Sequence, residues 1–165
     1  EDGRMEPLDE TIAAARAYLA WCEAPPAGVG DARAVLALVA GLYASALRLD
    51  VLAPEAESDA LDADGAIADE RWRQVYERCR ALPFDAYASI FDPHGDPADE
   101  TVTASLADDL ADIYRDVGDA VAAYDAGQVE RARWELTEGR KMHWGRHATG
   151  AIRALDTFLA DGRGP

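Results

Sequence analysis

Lysine is almost missing from this chain: Lys141 is the only one, and arginine carries the rest of the positive charge. Against 16 Lys and Arg stand 32 Asp and Glu, a formal net charge of −16. A duplex-binding surface needs clustered cations to displace counterions from phosphates. The chain has no basic patch, so nucleic acid is not an expected partner, and the same charge repels anionic membranes. Arginine in place of lysine points to a GC-rich bacterial genome. Cysteine is scarce as well. Cys22 and Cys79 fall on the apolar stripes of two expected helices and read as buried free thiols in a reducing cytosol. With 165 residues, the chain can bury a sizeable core without disulfides. Long apolar runs are absent too. The longest, Ala34 to Leu47, is too short to span a bilayer and is closed by Arg48. Glu1 to Pro7 is acidic and leads into an amphipathic helix, so no signal peptide is expected and the location is read as cytoplasmic.

What remains is helix pattern. Hydrophobic residues make up 49% and charged residues 29%, which suits a soluble globular chain and not a disordered one. Alanine is abundant and β-branched residues are sparse, which favours helix nearly everywhere. Leu8, Ile12, Ala15, Leu19 and Cys22 recur at three- and four-residue steps and predict a first helix over 8–24 with Asp9 as its cap. Pro25-Pro26 ends it. Asp31 opens a second helix buried through Val35, Leu38, Val39, Leu42, Tyr43, Ala46 and Leu49. Residues 54–68 read as a mobile loop within a single domain spanning 1–165. Asp69 opens a third helix with Trp72, Val75, Tyr76, Cys79 and Leu82 inward. After Pro83, Phe84, Tyr87 and Phe91 suggest one or two further helical turns. Asp92-Pro93-His94-Gly95-Asp96-Pro97 is a turn-rich loop that leaves His94 exposed.

Thr101 or Thr103 is the expected cap of a fourth helix reaching Ala126, with Gly127 past its end. A fifth helix is expected from about Gln128 to Ala160, with Gly139, Gly145 and Gly150 inside it. The fold class is therefore all-α: an up-and-down bundle of five or more helices whose last two form a long antiparallel hairpin.

Sorting the faces of those two helices at 3.6 residues per turn locates the chemistry. Leu106, Leu110, Ile113, Val117, Val121 and Tyr124 make the apolar stripe of the fourth helix, with Ala107, Ala111, Gly118 and Ala122 beside it. The remaining side is acidic and largely solvated. Asp109, Asp112 and Asp116 are nearest the apolar edge and can turn inward. On the fifth helix, Arg140, His143 and His147 interrupt a stripe made by Val129, Leu136, Ala151, Ala154 and Phe158. Buried without partners, such groups would each cost about 1–3 kcal/mol for a lost hydrogen bond, and more for a charge. Equal rise from the turn sets Asp109 opposite about residue 145, Asp112 opposite about 142, and Asp116 near 138–140. The expected outcome is a polar cluster of Asp109, Asp112, Asp116, Arg140, His143, Trp144 and His147.

Three readings of that cluster compete. One is a structural network that fixes the register of the hairpin. Another is a metal site with His143 and His147 as an i, i+4 pair and Asp109 and Asp112 as carboxylate ligands, since bundle metal sites are built from such groups on facing helices. No Glu follows His143, so the metalloprotease pattern is absent. The third is an anion or substrate pocket using Arg140, His143 and Trp144. The chain has no nucleophile beside a base, no phosphate-binding glycine loop and no complete metal motif. The leading expectation is accordingly a non-enzymatic interaction or scaffold module without a cofactor, with an unknown protein partner or self-association. The alternative is a metal-dependent hydrolase with a divalent ion between the last two helices.

Four blocks carry a resemblance: Leu82-Pro83-Phe84-Asp85-Ala86-Tyr87, Phe91-Asp92-Pro93, Ser105 to Asp116, and His143-Trp144-Gly145-Arg146-His147-Ala148. In order and spacing they resemble the bacterial family of domain of unknown function 5063, closely over about 68–155 and loosely over the first two helices. Members often carry aromatic residues where this chain has Leu136-Thr137-Glu138-Gly139, so the resemblance does not extend to an aromatic-lined pocket there. It implies a small helical cytosolic protein and brings no activity, cofactor or catalytic residue with it. A weaker likeness joins Asp109-Leu110-Ala111-Asp112 to the magnesium-holding Glu-x-x-Asp helix of all-helical nucleotide pyrophosphohydrolases. The Glu-Glu-x-x-Glu helix those enzymes also need is missing.

Overall fold

A computed structural model describes residues 5–24, 31–49, 67–96, 98 and 100–162. In chain order the elements are α1 (Pro7–Glu23), α2 (Asp31–Ala46), α3 (Asp69–Cys79), β1 (Ala86–Ser89), β2 (Val102–Ser105), α4 (Leu106–Asp125), α5 (Val129–Gly139), a π-helical turn (Arg140–Trp144) and α6 (Gly145–Ala160). The molecule is mostly α-helical. Pro25-Pro26 and nearly all of the expected 54–68 loop lie outside the described residues. No helix among the described residues is long and apolar enough to cross a membrane.

α4 is the central element. Leu106, Ala107, Leu110, Ala111, Ile113 and Val117 are all fully buried, as their spacing dictates. α1, α3, α5 and α6 pack against it, while α2 packs between α1 and α6. One apolar cluster draws residues from all six helices, including Ile12, Val35, Val75, Leu110, Leu136 and Leu155. The Tyr18 hydroxyl is buried inside it and donates to the Leu110 carbonyl at 2.6 Å. Cys22 and Cys79 are free and buried, and burial pushes the Cys79 thiol up to about 12.

Two expectations are corrected by the segment before α4. Phe84, Tyr87 and Phe91 do not extend a helix, because Ala86–Ser89 pairs antiparallel with Val102–Ser105, Ala86 opposite Ser105 and Ser89 opposite Val102. The cap of α4 is Ser105 and not Thr101 or Thr103, which precede or lie within β2. Ser105 Oγ accepts from the Asp108 N–H at 3.2 Å and donates to Asp85 Oδ1 at 2.9 Å. That same Asp85 oxygen accepts from the Ala107 N–H at 2.8 Å. Two side chains thus satisfy donors that a helix N-terminus leaves unpaired, and they tie the hairpin to α4.

The long last helix is interrupted as well. Its Gly145 N–H bonds to the Arg140 carbonyl, five residues back, and this defines the π turn. A Cβ on Gly145 would lie 2.4 Å from that carbonyl oxygen, so only glycine fits the turn as built. The extra residue rotates everything after it relative to uniform 3.6-residue winding. Trp144, Ala148, Ala151 and Leu155 are consequently the buried face of the second half. Val129, expected inside, precedes the turn as the first residue of α5 and is 41% exposed.

Candidate functional site

α4, the π turn and α6 converge on a cluster built around Asp109. This residue sits at the edge of the apolar stripe and is buried with it. A buried carboxylate is stable only when its oxygens are hydrogen-bonded, and here both are. Oδ2 accepts from the Tyr87 hydroxyl at 2.5 Å, and Oδ1 lies 2.8 Å from His147 Nδ1. An ionised carboxylate can only accept, so the proton of the neutral His147 ring resides on Nδ1 and the lone pair on Nε2. That Nε2 is 3.6 Å from Asp112 Oδ2, too far for a hydrogen bond. The other oxygen of Asp112 accepts from the Trp72 indole N–H at 2.8 Å.

One turn away, His143 Nδ1 lies 2.7 Å from Asp116 Oδ2, and the two imidazoles meet edge to face with centroids 4.7 Å apart. One ligand-type atom from each of Asp112, His143 and His147 falls within 4.8 Å of the other two. The pairing runs further along the last helix than equal rise predicts. Asp109 meets His147 and not residue 145, and Asp116 meets His143 and not 138–140. The π turn supplies part of this offset by adding a residue to the path.

The environment perturbs the site's titrations. The hydrogen bond that His147 donates to Asp109 raises its pKa above the ordinary value, against the opposing effect of burial. Burial raises Asp116, an effect that His143 partly offsets. Burial also raises Asp108, reinforced by the charges of Asp112 and Asp109. Tyr87 is raised by burial first and by its bond to Asp109 second, so it remains a donor at neutral pH.

Five of the seven expected residues therefore meet: Asp109, Asp112, Asp116, His143 and His147. Arg140 and Trp144 do not join them. The Arg140 guanidinium lies over the Tyr43 ring at 5.5 Å, toward α2. Trp144 is 1% exposed in the core, its indole donating to the Glu135 carbonyl at 3.2 Å. Asp119, further along α4, accepts the Ile67 N–H at 3.2 Å. Sequence reasoning missed Trp72 and Tyr87 as polar members of the cluster. The available signal was that a buried indole N–H or phenol O–H needs a partner. Gly150 belongs to the site too, since a Cβ there would lie 2.5 Å from the Tyr87 hydroxyl.

The family model for DUF5063, a domain of unknown function, matches residues 5–161. The chain belongs to the DUF5063 family. No curated protein matches the chain. Among solved structures, protein BF1032 from Bacteroides fragilis is similar in fold, with a TM-score of 0.72 at 19% identity, over 92% of this chain and 90% of that one. At that identity the likeness concerns the fold alone.

Proposed function

We propose that this DUF5063 chain binds a divalent transition metal through Asp112, His143 and His147 and uses its open coordination positions for hydrolysis. The observation that carries this reading is the division of labour within the cluster. Each imidazole has one nitrogen committed to an aspartate, and Asp112 has one oxygen committed to Trp72. The remaining nitrogens and the remaining oxygen are the ligands. A carboxylate behind each metal-bound histidine fixes its tautomer and raises its basicity. Three protein ligands with vacant positions are what a catalytic site needs for water and substrate. Compared with the expectation from sequence, Asp109 moves from ligand to orienting residue, and Asp116 takes the same role behind His143.

Metal analysis of tag-free protein, stripped with chelator and titrated with Co(II), tests the reading. One equivalent with visible d–d absorption is expected. His143→Ala, His147→Ala and Asp112→Asn should abolish it, and Asp116→Asn should weaken it about 10- to 100-fold. Absence of stoichiometric uptake by the wild-type chain overturns the reading.

A second reading, the interaction module, draws on exposed apolar side chains around the hairpin: Ile90 at 55%, Phe91 at 78% and Val102 at 48%. Sedimentation over a concentration series tests its self-association form. A dimer lost in Phe91→Ser supports it, and a monomer at every concentration removes that form.

A further inference from the structure

Two arginines stacked on aromatic rings share α4 and α6 with Asp112 and His147. The Arg146 guanidinium, adjacent in sequence to His147, lies over the Phe91 ring at 5.4 Å. The Arg115 guanidinium, one turn from Asp112 on α4, lies over Trp72 at 5.3 Å, the same ring whose N–H holds Asp112. An arginine stacked on a ring face keeps its in-plane N–H donors available. Arg146 is exposed, and no ion pair joins it to another described residue. Arg115 has a contact at 3.3 Å with Asp69, itself 89% exposed, and its Nε is buried without a hydrogen bond.

The charges make ligand choice depend on the metal. Asp109, Asp112 and Asp116 make the ligand set acidic, and Asp69 pairs with Arg115. A bound divalent ion adds two positive charges beside Arg146 and Arg115, so an anion meets a less negative cluster with the metal in place than without it.

Resting on the metal reading above, we infer that the substrate of this site presents a phosphoryl group, held between the metal, Arg146 and Arg115. Three cationic partners match the three terminal oxygens of a phosphate monoester, whereas a carboxylate has two. In hydrolysis the water oxygen bonds to phosphorus, the ester P–O bond breaks, and the departing alcohol takes up a water proton. No oxidant or reductant enters.

The test uses the full chain loaded with Mn(II) and inorganic phosphate as the probe, with binding read from paramagnetic broadening of the phosphorus resonance. Saturable broadening is expected with the Mn(II)-loaded chain and none with the metal-free chain. Arg146→Ala should weaken phosphate about tenfold or more, a change of about 1.4 kcal/mol, at unchanged Mn(II) stoichiometry. Arg115→Gln should do the same, with its melting temperature followed to verify folding. Stoichiometric Mn(II) with phosphate binding that is absent, indifferent to both arginines, or matched by acetate overturns this inference and leaves the metal reading standing. Failure to bind Mn(II) overturns the metal reading and this inference with it.

Discussion

The Tyr87 hydroxyl donates to Asp109 Oδ2 at 2.5 Å, tying a strand of the small hairpin to a buried carboxylate of the central helix. With His147 on the other oxygen, Asp109 joins β1, α4 and α6 through one side chain. Asp109→Asn keeps the shape but replaces one acceptor with a donor. We expect a loss of about 1–3 kcal/mol in urea unfolding. A neutral result would mean that the three groups do not form this network.

Gly150 and Tyr87 should be coupled. Alanine is preferred to glycine inside a helix by about 1 kcal/mol, so Gly150→Ala would ordinarily stabilise. Its Cβ would lie 2.5 Å from the Tyr87 oxygen, and we expect destabilisation instead. Removing that oxygen in Tyr87→Phe should make Gly150→Ala tolerated, so the double mutant is more stable than the sum of the two single changes. Gly139, where a Cβ meets nothing closer than 3.6 Å, serves as the control, and Gly139→Ala should gain about 0.5–1 kcal/mol. Additive energies in the Tyr87/Gly150 cycle would refute the contact.

Gly145→Ala probes the π turn. The added methyl would sit 2.4 Å from the Arg140 carbonyl oxygen, and backbone must move to accept it. A loss of about 1–3 kcal/mol is expected from the overpacking. Because His143 lies inside this turn, Co(II) uptake should weaken along with stability. Unchanged uptake in a destabilised variant would separate the turn from the metal ligands.

The metal-free chain should lose stability as pH rises. A group whose folded pKa exceeds its unfolded value contributes most below the unfolded value, and that contribution fades as pH climbs through the folded one. Asp108 and Asp116 are raised from 3.8, so one decline begins just above that pH. His147 is raised from 6.5, so a second begins above neutrality's acid edge. Melting temperatures of chelator-treated protein between pH 6.5 and 9 should fall, and His147→Gln should flatten that segment. A curve that rises over the same range would contradict the bond to Asp109.

Much of the architecture was legible in the residues. Leu106, Leu110, Ile113 and Val117 announce the buried stripe of α4, and the inward turn of Asp109, Asp112 and Asp116 follows from the same winding, because helix periodicity is local. The strand at Ala86–Ser89 was not legible. Tyr87 and its neighbours have spacing that suits a helix turn, and only pairing with Val102–Ser105, far along the chain, makes them extended.

By itself the sequence determined that the chain is mostly helical, that two thiols are buried, and that Asp109 and Asp112 fall beside His143 and His147. Only the tertiary structure decided which nitrogen of each ring an aspartate takes, that Trp72 and Tyr87 complete the cluster, and that Arg140 and Trp144 leave it. The physical reason is the π turn together with the hairpin. One residue added to the winding resets every later side chain, and a strand's partner is set by contacts that no local pattern records.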